Sequence, residues 1–255
     1  MHARSILQPL ASPVLWVAVF FAALLAGMRQ LRPVFAWAFP GVAPPVFDRA
    51  SFVDLWLSHL GLVAAASLAA VVVGIGVAVF VTRPAGRDFR AIADTLATIG
   101  QTFPPAAVLA LAVPALGLGP RPTIAALFLY GLLPITANAI AGLEGVPPAV
   151  RDAAEGMGLS AWQRLRDIEL PLAAPVILAG VRVSVTIGIG TATIGSTVGA
   201  VTLGTPILDG LSAYKLPYVI QGAVLVGLFA ILTDLLFAAL ERRLRPPAER
   251  RRPGD

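Results

Sequence analysis

The chain has 255 residues, 57% of them hydrophobic and only 13% charged, with a mean hydropathy of +0.83, a balance too apolar for a soluble domain of that size. Its net charge of +5 comes with no cysteine and only two distant histidines, which excludes disulfides, thiolate chemistry and a metal site built on those residues. The fold class that follows is an all-α integral membrane protein, because backbone groups in lipid must be hydrogen-bonded within their own helix.

A bilayer core about 30 Å thick takes roughly 20 apolar residues of helix to cross. Six stretches reach that length: Leu10 to Met28, Leu55 to Thr82, Ala91 to Gly119, Pro122 to Leu143, Pro175 to Leu203 and Pro217 to Leu240. The first, preceded by Arg4 and ending near small residues at Ala26-Gly27, has some features of a cleaved signal peptide, but Arg29 follows at once and favours a retained helix. His59, near the outer end of the second stretch, reads as an interfacial residue. Pro104-Pro105 in the third stretch and Pro134 in the fourth each remove a backbone hydrogen bond and predict bends. Gly188, Gly190, Gly195 and Gly199 along the fifth predict close helix packing. The expected organisation is an N-terminal helix and outer loop over 1–54, a five-helix core over 55–240 and an Arg-rich tail over 241–255.

Orientation follows from charge, since Lys and Arg in short loops stay cytoplasmic. With both termini inside, thirteen basic residues fall on the cytoplasmic side and five outside, with Arg182 inside a span. The three outer arginines at 29, 32 and 49 keep a five-span arrangement open.

Between the fourth and fifth stretches, residues 144–171 read as two short helices about a tight turn. Pro147-Pro148 closes the preceding span and opens a helix. Val150, Ala153, Ala154 and Met157 then recur at helical spacing. Gly156 and Gly158 permit a left-handed stop, and Ser160 with Gln163 forms a capping-box pattern before a second helix that Pro171 is expected to end. Such a unit suits insertion into a partner's groove, although an amphipathic loop lying on the bilayer surface has the same pattern. A DNA-reading role would bring a duplex against lipid.

ATP chemistry is excluded by subtraction. A phosphate-binding loop ends in Gly-Lys-Ser/Thr, and the single lysine, Lys215, sits between Tyr214 and Leu216. No catalytic constellation stands out, and the expected number of metal sites is none.

The spacing Asp152-Ala153-Ala154, three residues, Gly158, nine residues, Ile168-Glu169-Leu170-Pro171 resembles the signature loop of ABC importer permeases, the binding-protein-dependent inner-membrane components, with Asp152 in place of their Glu. A longer pattern is similar to the osmoprotectant subfamily for glycine betaine, choline and carnitine. It runs from Gln101-Thr102-Phe103-Pro104 through Leu132-Leu133-Pro134 to Gly190-Thr191-Ala192-Thr193. The subfamily's Gly-Ala-Gly-Gly-Leu-Gly stretch appears only as Gly199-Ala200-Val201-Thr202-Leu203-Gly204. The resemblance implies a type I ABC importer transmembrane domain in the bacterial inner membrane. In it Asp152, Ala153, Ala154, Gly158, Ile168, Leu170 and Pro171 couple to an ABC ATPase. It further implies a second permease subunit, identical or homologous, and an extracytoplasmic substrate-binding protein, with ATP and Mg²⁺ held by the ATPase and no cofactor on this chain.

The aromatic residues are too sparse for a quaternary-ammonium cage: Trp16 and Trp56 fit interface anchoring, Trp37 an outer loop and Trp162 the signature loop. Selectivity is therefore expected in the binding protein. Gln101, Thr102, Asn138, Thr191, Thr193 and Ser196 are candidates to line a translocation path or to hydrogen-bond between helices. Arg182 and Asp234, each about 10 Å inside a cytoplasmic span end, form a candidate ion pair, with Asp94 near and snorkelling of Arg182 as the alternative.

Overall fold

A computed structural model describes residues 13–100 and 102–244, without the side chains of 94 and 97–100. Asp94 as a cluster member and Gln101 as a path residue thus lie outside the described residues, as do the first twelve residues and the end of the Arg-rich tail.

All regular elements among the described residues are helical. In chain order they are α1 (Pro13–Gly27), a 3-10 turn (Met28–Leu31), α2 (Arg32–Ala38), α3 (Phe52–Val81), a 3-10 segment (Pro84–Phe89), α4 (Arg90–Gly100), α5 (Pro105–Leu116) and α6 (Pro120–Glu144). Then come α7 (Pro148–Gly156), α8 (Ala161–Gln163), a π-helix (Arg164–Glu169), α9 (Leu170–Ile194), a 3-10 turn (Gly195–Val198), α10 (Thr205–Ser212) and α11 (Leu216–Leu244).

Among the described residues, five helical stretches are long and apolar enough to cross a bilayer: Pro13–Ala38, Phe52–Val81, Pro120–Glu144, Ala161–Val198 and Leu216–Leu244. The third predicted span is the difference. It is split into α4 and α5 around Thr102-Phe103-Pro104, because consecutive prolines at 104 and 105 supply no backbone N–H and force the preceding residues out of the helical region. Pro134 behaves otherwise and sits inside an unbroken α6. Apolar side chains exposed along these helices, such as Leu68, Val72, Leu111 and Leu129, suit a lipid solvent.

The chain forms two compact units, residues 13–65, 105–127 and 188–236 in one and 66–104, 128–187 and 237–244 in the other. In the first, Phe21, Trp56, His59 and Phe229 make edge-on and stacked ring contacts at 5.6 to 6.3 Å. This corrects the interfacial reading of His59: its ring is fully buried, and because a carbonyl can only accept, its Nε2–H donates to Ile189 O at 3.1 Å. Trp56 likewise packs within the chain. The segment between α2 and α3 is pinned by Gln221, whose side chain accepts from Phe47 N–H at 3.0 Å and donates to Pro45 O at 2.9 Å. Arg49 pairs with Asp209 at 2.9 Å, and Lys215 donates to Ala43 O at 2.9 Å.

In the second unit, Ala78, Val81, Ala139, Ile140, Leu143, Leu165, Ala173 and Ile177 form one apolar cluster. Close approach here depends on glycines that the sequence pattern did not single out. A Cβ on Gly180 would lie 2.6 Å from Asn138 Cβ and 2.8 Å from Pro134 O, and one on Gly131 would lie 2.6 Å from Ser184 Oγ. Of the four glycines expected to pack closely, Gly195 does, with a Cβ position 2.5 Å from Thr123, whereas Gly190 has nothing within 4 Å.

Candidate functional site

The loop between α6 and α9 is built as its residues dictate. Pro147 is extended (ψ 134°) and Pro148 opens α7, where a missing N–H costs nothing. The helix ends in a Schellman arrangement: Leu159 N–H donates to Ala154 O at 3.2 Å and Gly158 N–H to Glu155 O at 2.8 Å. That arrangement requires the positive φ of Gly158, +81°, while Gly156 stays helical. Ser160 then caps the next helix reciprocally with Gln163, N–H to Oε1 at 2.9 Å and Gln163 N–H to Ser160 Oγ at 3.3 Å.

The second limb departs from expectation. It does not stop at Pro171 but runs through the π-helix into α9, so loop and span are one continuous rod. Leu170 N–H reaches back to Leu165 O, a five-residue step. That wider turn directly precedes Pro171, the position where an ordinary helix would lack a donor and meet the proline ring.

The motif residues divide by exposure. Asp152, Ala153, Gly158 and Pro171 are exposed, Ile168 and Leu170 half-buried, and Ala154 is 1% exposed. Ala154 therefore faces its own chain, and the outward apolar surface consists of Val150, Ala153, Met157 and Trp162, the last two 70% and 66% exposed.

Four arginines brace the loop. Arg83 pairs with Glu169, Arg90 with Glu144, Arg164 with Glu155 at 2.8 Å across the glycine turn, and Arg151 lies 3.9 Å from Glu169. Arg151 also donates through Nη2 to Leu143 O near the end of α6. Glu169, at 3% exposure, is the buried centre of this set and was not among the sequence candidates. Its only sequence signal is a carboxylate at the variable position of Ile-x-Leu-Pro.

The path candidates mostly find partners within the chain. Asn138 Nδ2 donates to Pro134 O at 2.8 Å and Thr193 Oγ1 to Ile189 O at 3.1 Å, each bonding its own helix. Thr191 is buried. Ser196 Oγ joins Thr202 Oγ1 at 2.8 Å and Thr205 Oγ1 at 3.4 Å in a hydroxyl network that fastens the turn after α9. Thr102 is exposed at the break between α4 and α5, where Tyr130 Oη donates to the Phe103 carbonyl that the break exposes. A carboxylate against the Arg182 guanidinium is that of Glu241, at 3.6 Å, with Asp234 half-buried on α11. Glu241 lies seven residues beyond Asp234, about 10 Å further along the helix.

Comparison with known proteins shows the family and the fold. Residues 70–246 match the family described as binding-protein-dependent transport system inner membrane component. The osmoprotectant import permease protein OsmY of Salmonella typhimurium is 43% identical over 188 residues, 74% of this chain and 80% of the relative. The glycine betaine/carnitine/choline transport system permease protein OpuCB of Bacillus subtilis is 40% identical over 182 residues, 71% of this chain and 84% of the relative. Among solved structures, a chain of the MetNI methionine ABC transporter in inward-facing conformation shares the fold with a TM-score of 0.67 at 20% identity, covering 76% of this chain and 96% of that one.

Proposed function

Because the chain belongs to the binding-protein-dependent transport system inner membrane components, we propose that it is the permease subunit of an ATP-driven importer for osmoprotectants of the glycine betaine, choline and carnitine type. The observation that carries this reading is the apolar face of Val150, Ala153 and Met157 on α7 and its end, with Trp162 on α8, presented outward on a loop whose base is locked by four arginines. An exposed apolar patch on a rigid, charge-braced knuckle suits seating in a partner's groove, and small Ala153 permits close backbone approach.

In this reading the ATPase cleft receives α7, and Asp152 at its exposed edge meets polar groups of the cleft. Ile168, Leu170 and Pro171 carry the movement on, since the helix runs unbroken from the loop into α9. The loop end of the chain is cytoplasmic, as are both termini. A second permease chain completes the pathway, and a binding protein supplies selectivity. The unwound segment around Thr102 is the part of the pathway we favour, because broken helices leave backbone polar groups that only protein or a water-filled cavity can satisfy.

Reconstitution tests it. In vesicles containing this chain with its ATPase and binding protein, uptake of radiolabelled glycine betaine requires ATP and survives collapse of ion gradients. Uptake driven by an ion gradient without ATP refutes the reading, and uptake of an amino acid instead of quaternary amines removes the substrate class alone.

A further inference from the structure

We infer that Glu169 is a positioning residue, the hub of an ionic joint that makes α3, α6 and the loop move as one body when the ATPase acts; the inference rests on the coupling role proposed above. Glu169 leaves only 4% of its side chain exposed. Both terminal nitrogens of Arg83, which follows α3 by two residues, bond its two carboxylate oxygens. Arg151, on α7, approaches the same carboxylate and holds the Leu143 carbonyl of α6. One carboxylate thus ties together two span ends, the loop helix and the foot of α9.

Two features make this a joint and not merely a brace. The π-helix ends at Glu169, and relative to an ordinary α-helix one inserted residue turns everything beyond it by about 100°. The carboxylate is aimed at Arg83 by that local geometry, while the exposed apolar face stays where the partner needs it. In addition, Arg151 Nε is buried without a hydrogen-bond partner among the described residues, and it faces Glu169 Oε1 at 3.9 Å. A hydrogen bond needs about 3 Å, so an approach of roughly 1 Å completes it. The cluster seen here has Glu169 bonded to Arg83, and that short approach gives it a second arrangement in which both arginines are bonded. A two-state element of this kind is what coupling between distant sites requires. A buried carboxylate cannot be left behind unpaired, so displacement of the loop must carry the end of α3 with it.

The test uses the complete transporter in vesicles and reads solute imported per ATP hydrolysed, a ratio that simple loss of folded protein does not change. E169Q retains ATPase association and hydrolysis but lowers this ratio by about tenfold. The charge-keeping variant E169D retains a ratio nearer that of the wild type. An unchanged ratio in E169Q overturns the inference. So does a parallel fall of hydrolysis and uptake, or failure of both E169Q and E169D to accumulate in the membrane, since each marks the cluster as a docking or folding element only. If the wild-type chain binds no ATPase, the coupling reading itself falls, which is a separate and distinguishable result.

Discussion

At Glu169 and Gly158 single residues carry consequences that their neighbours do not. Charge pairs in this chain differ by burial. Arg49 with Asp209 is largely exposed, the Arg side chain at 72%, and pairs of that kind contribute about 0 to 1 kcal/mol. Glu169 is buried, and removing one partner of a buried pair costs about 3 to 5 kcal/mol, so Arg83 and Glu169 matter far more than the count of surface pairs suggests. Gly158 is different again. A Cβ there would meet nothing within 4 Å, so substitution is penalised only by its φ of +81°. For an L-residue that penalty is about 1 to 2 kcal/mol, and roughly tenfold in an equilibrium per 1.4 kcal/mol. We therefore expect Gly158→Val to leave the membrane-embedded helices folded, by circular dichroism, while weakening ATPase co-purification about tenfold. Unchanged co-purification would show that the turn does not set the docking geometry.

Helices in this chain are arranged by what interrupts them and by where they touch. Paired prolines split the third apolar stretch, whereas a lone Pro134 is absorbed within α6. In α9, Pro171 follows a π-helix and Pro175 lies four residues on, yet the rod persists because neighbouring packing holds it. Contact between α6 and α9 depends on glycine at 180. Gly180→Ala places a methyl 2.8 Å from the Pro134 carbonyl, a backbone atom that cannot swing away. Overpacking of this kind costs about 1 to 3 kcal/mol, so the detergent-solubilised protein should unfold at a lower temperature. Gly190→Ala on the same helix meets nothing within 4 Å and should not lower it, since alanine is the better helix former. Equal melting temperatures for the two variants would contradict the packing assigned to Gly180.

Across the whole molecule, the basic residues from which the orientation is proposed also build the loop's base. Arg83, Arg90, Arg151 and Arg164 belong to the basic excess assigned to the cytoplasm in that proposal and, by geometry, to the ionic brace. Because the chain contains no cysteine, single cysteines report sidedness without background. Tyr214 and Met157 are 94% and 70% exposed, and Tyr214→Cys should react with an impermeant maleimide on intact cells, Met157→Cys only after permeabilisation. The reverse pattern would invert the orientation proposed here.

The amino-acid sequence alone determined whatever depends on near neighbours in the chain. Apolar length marked five of the six expected membrane helices, and the glycine stop at 158 and the Ser160–Gln163 cap were legible because their bonds span five residues or fewer. Tertiary structure decided what depends on approach from afar. Which alanine faces out at 153 and which faces in at 154 follows from the helix's seat on its own chain. The burial of His59, the pairing of Arg83 with Glu169 across 86 positions and the crowding of Gly180 were likewise settled by packing. Local hydrogen bonds are written in spacing, whereas partners in space are selected only when apolar faces close on one another and leave a buried charge or glycine a single place to go.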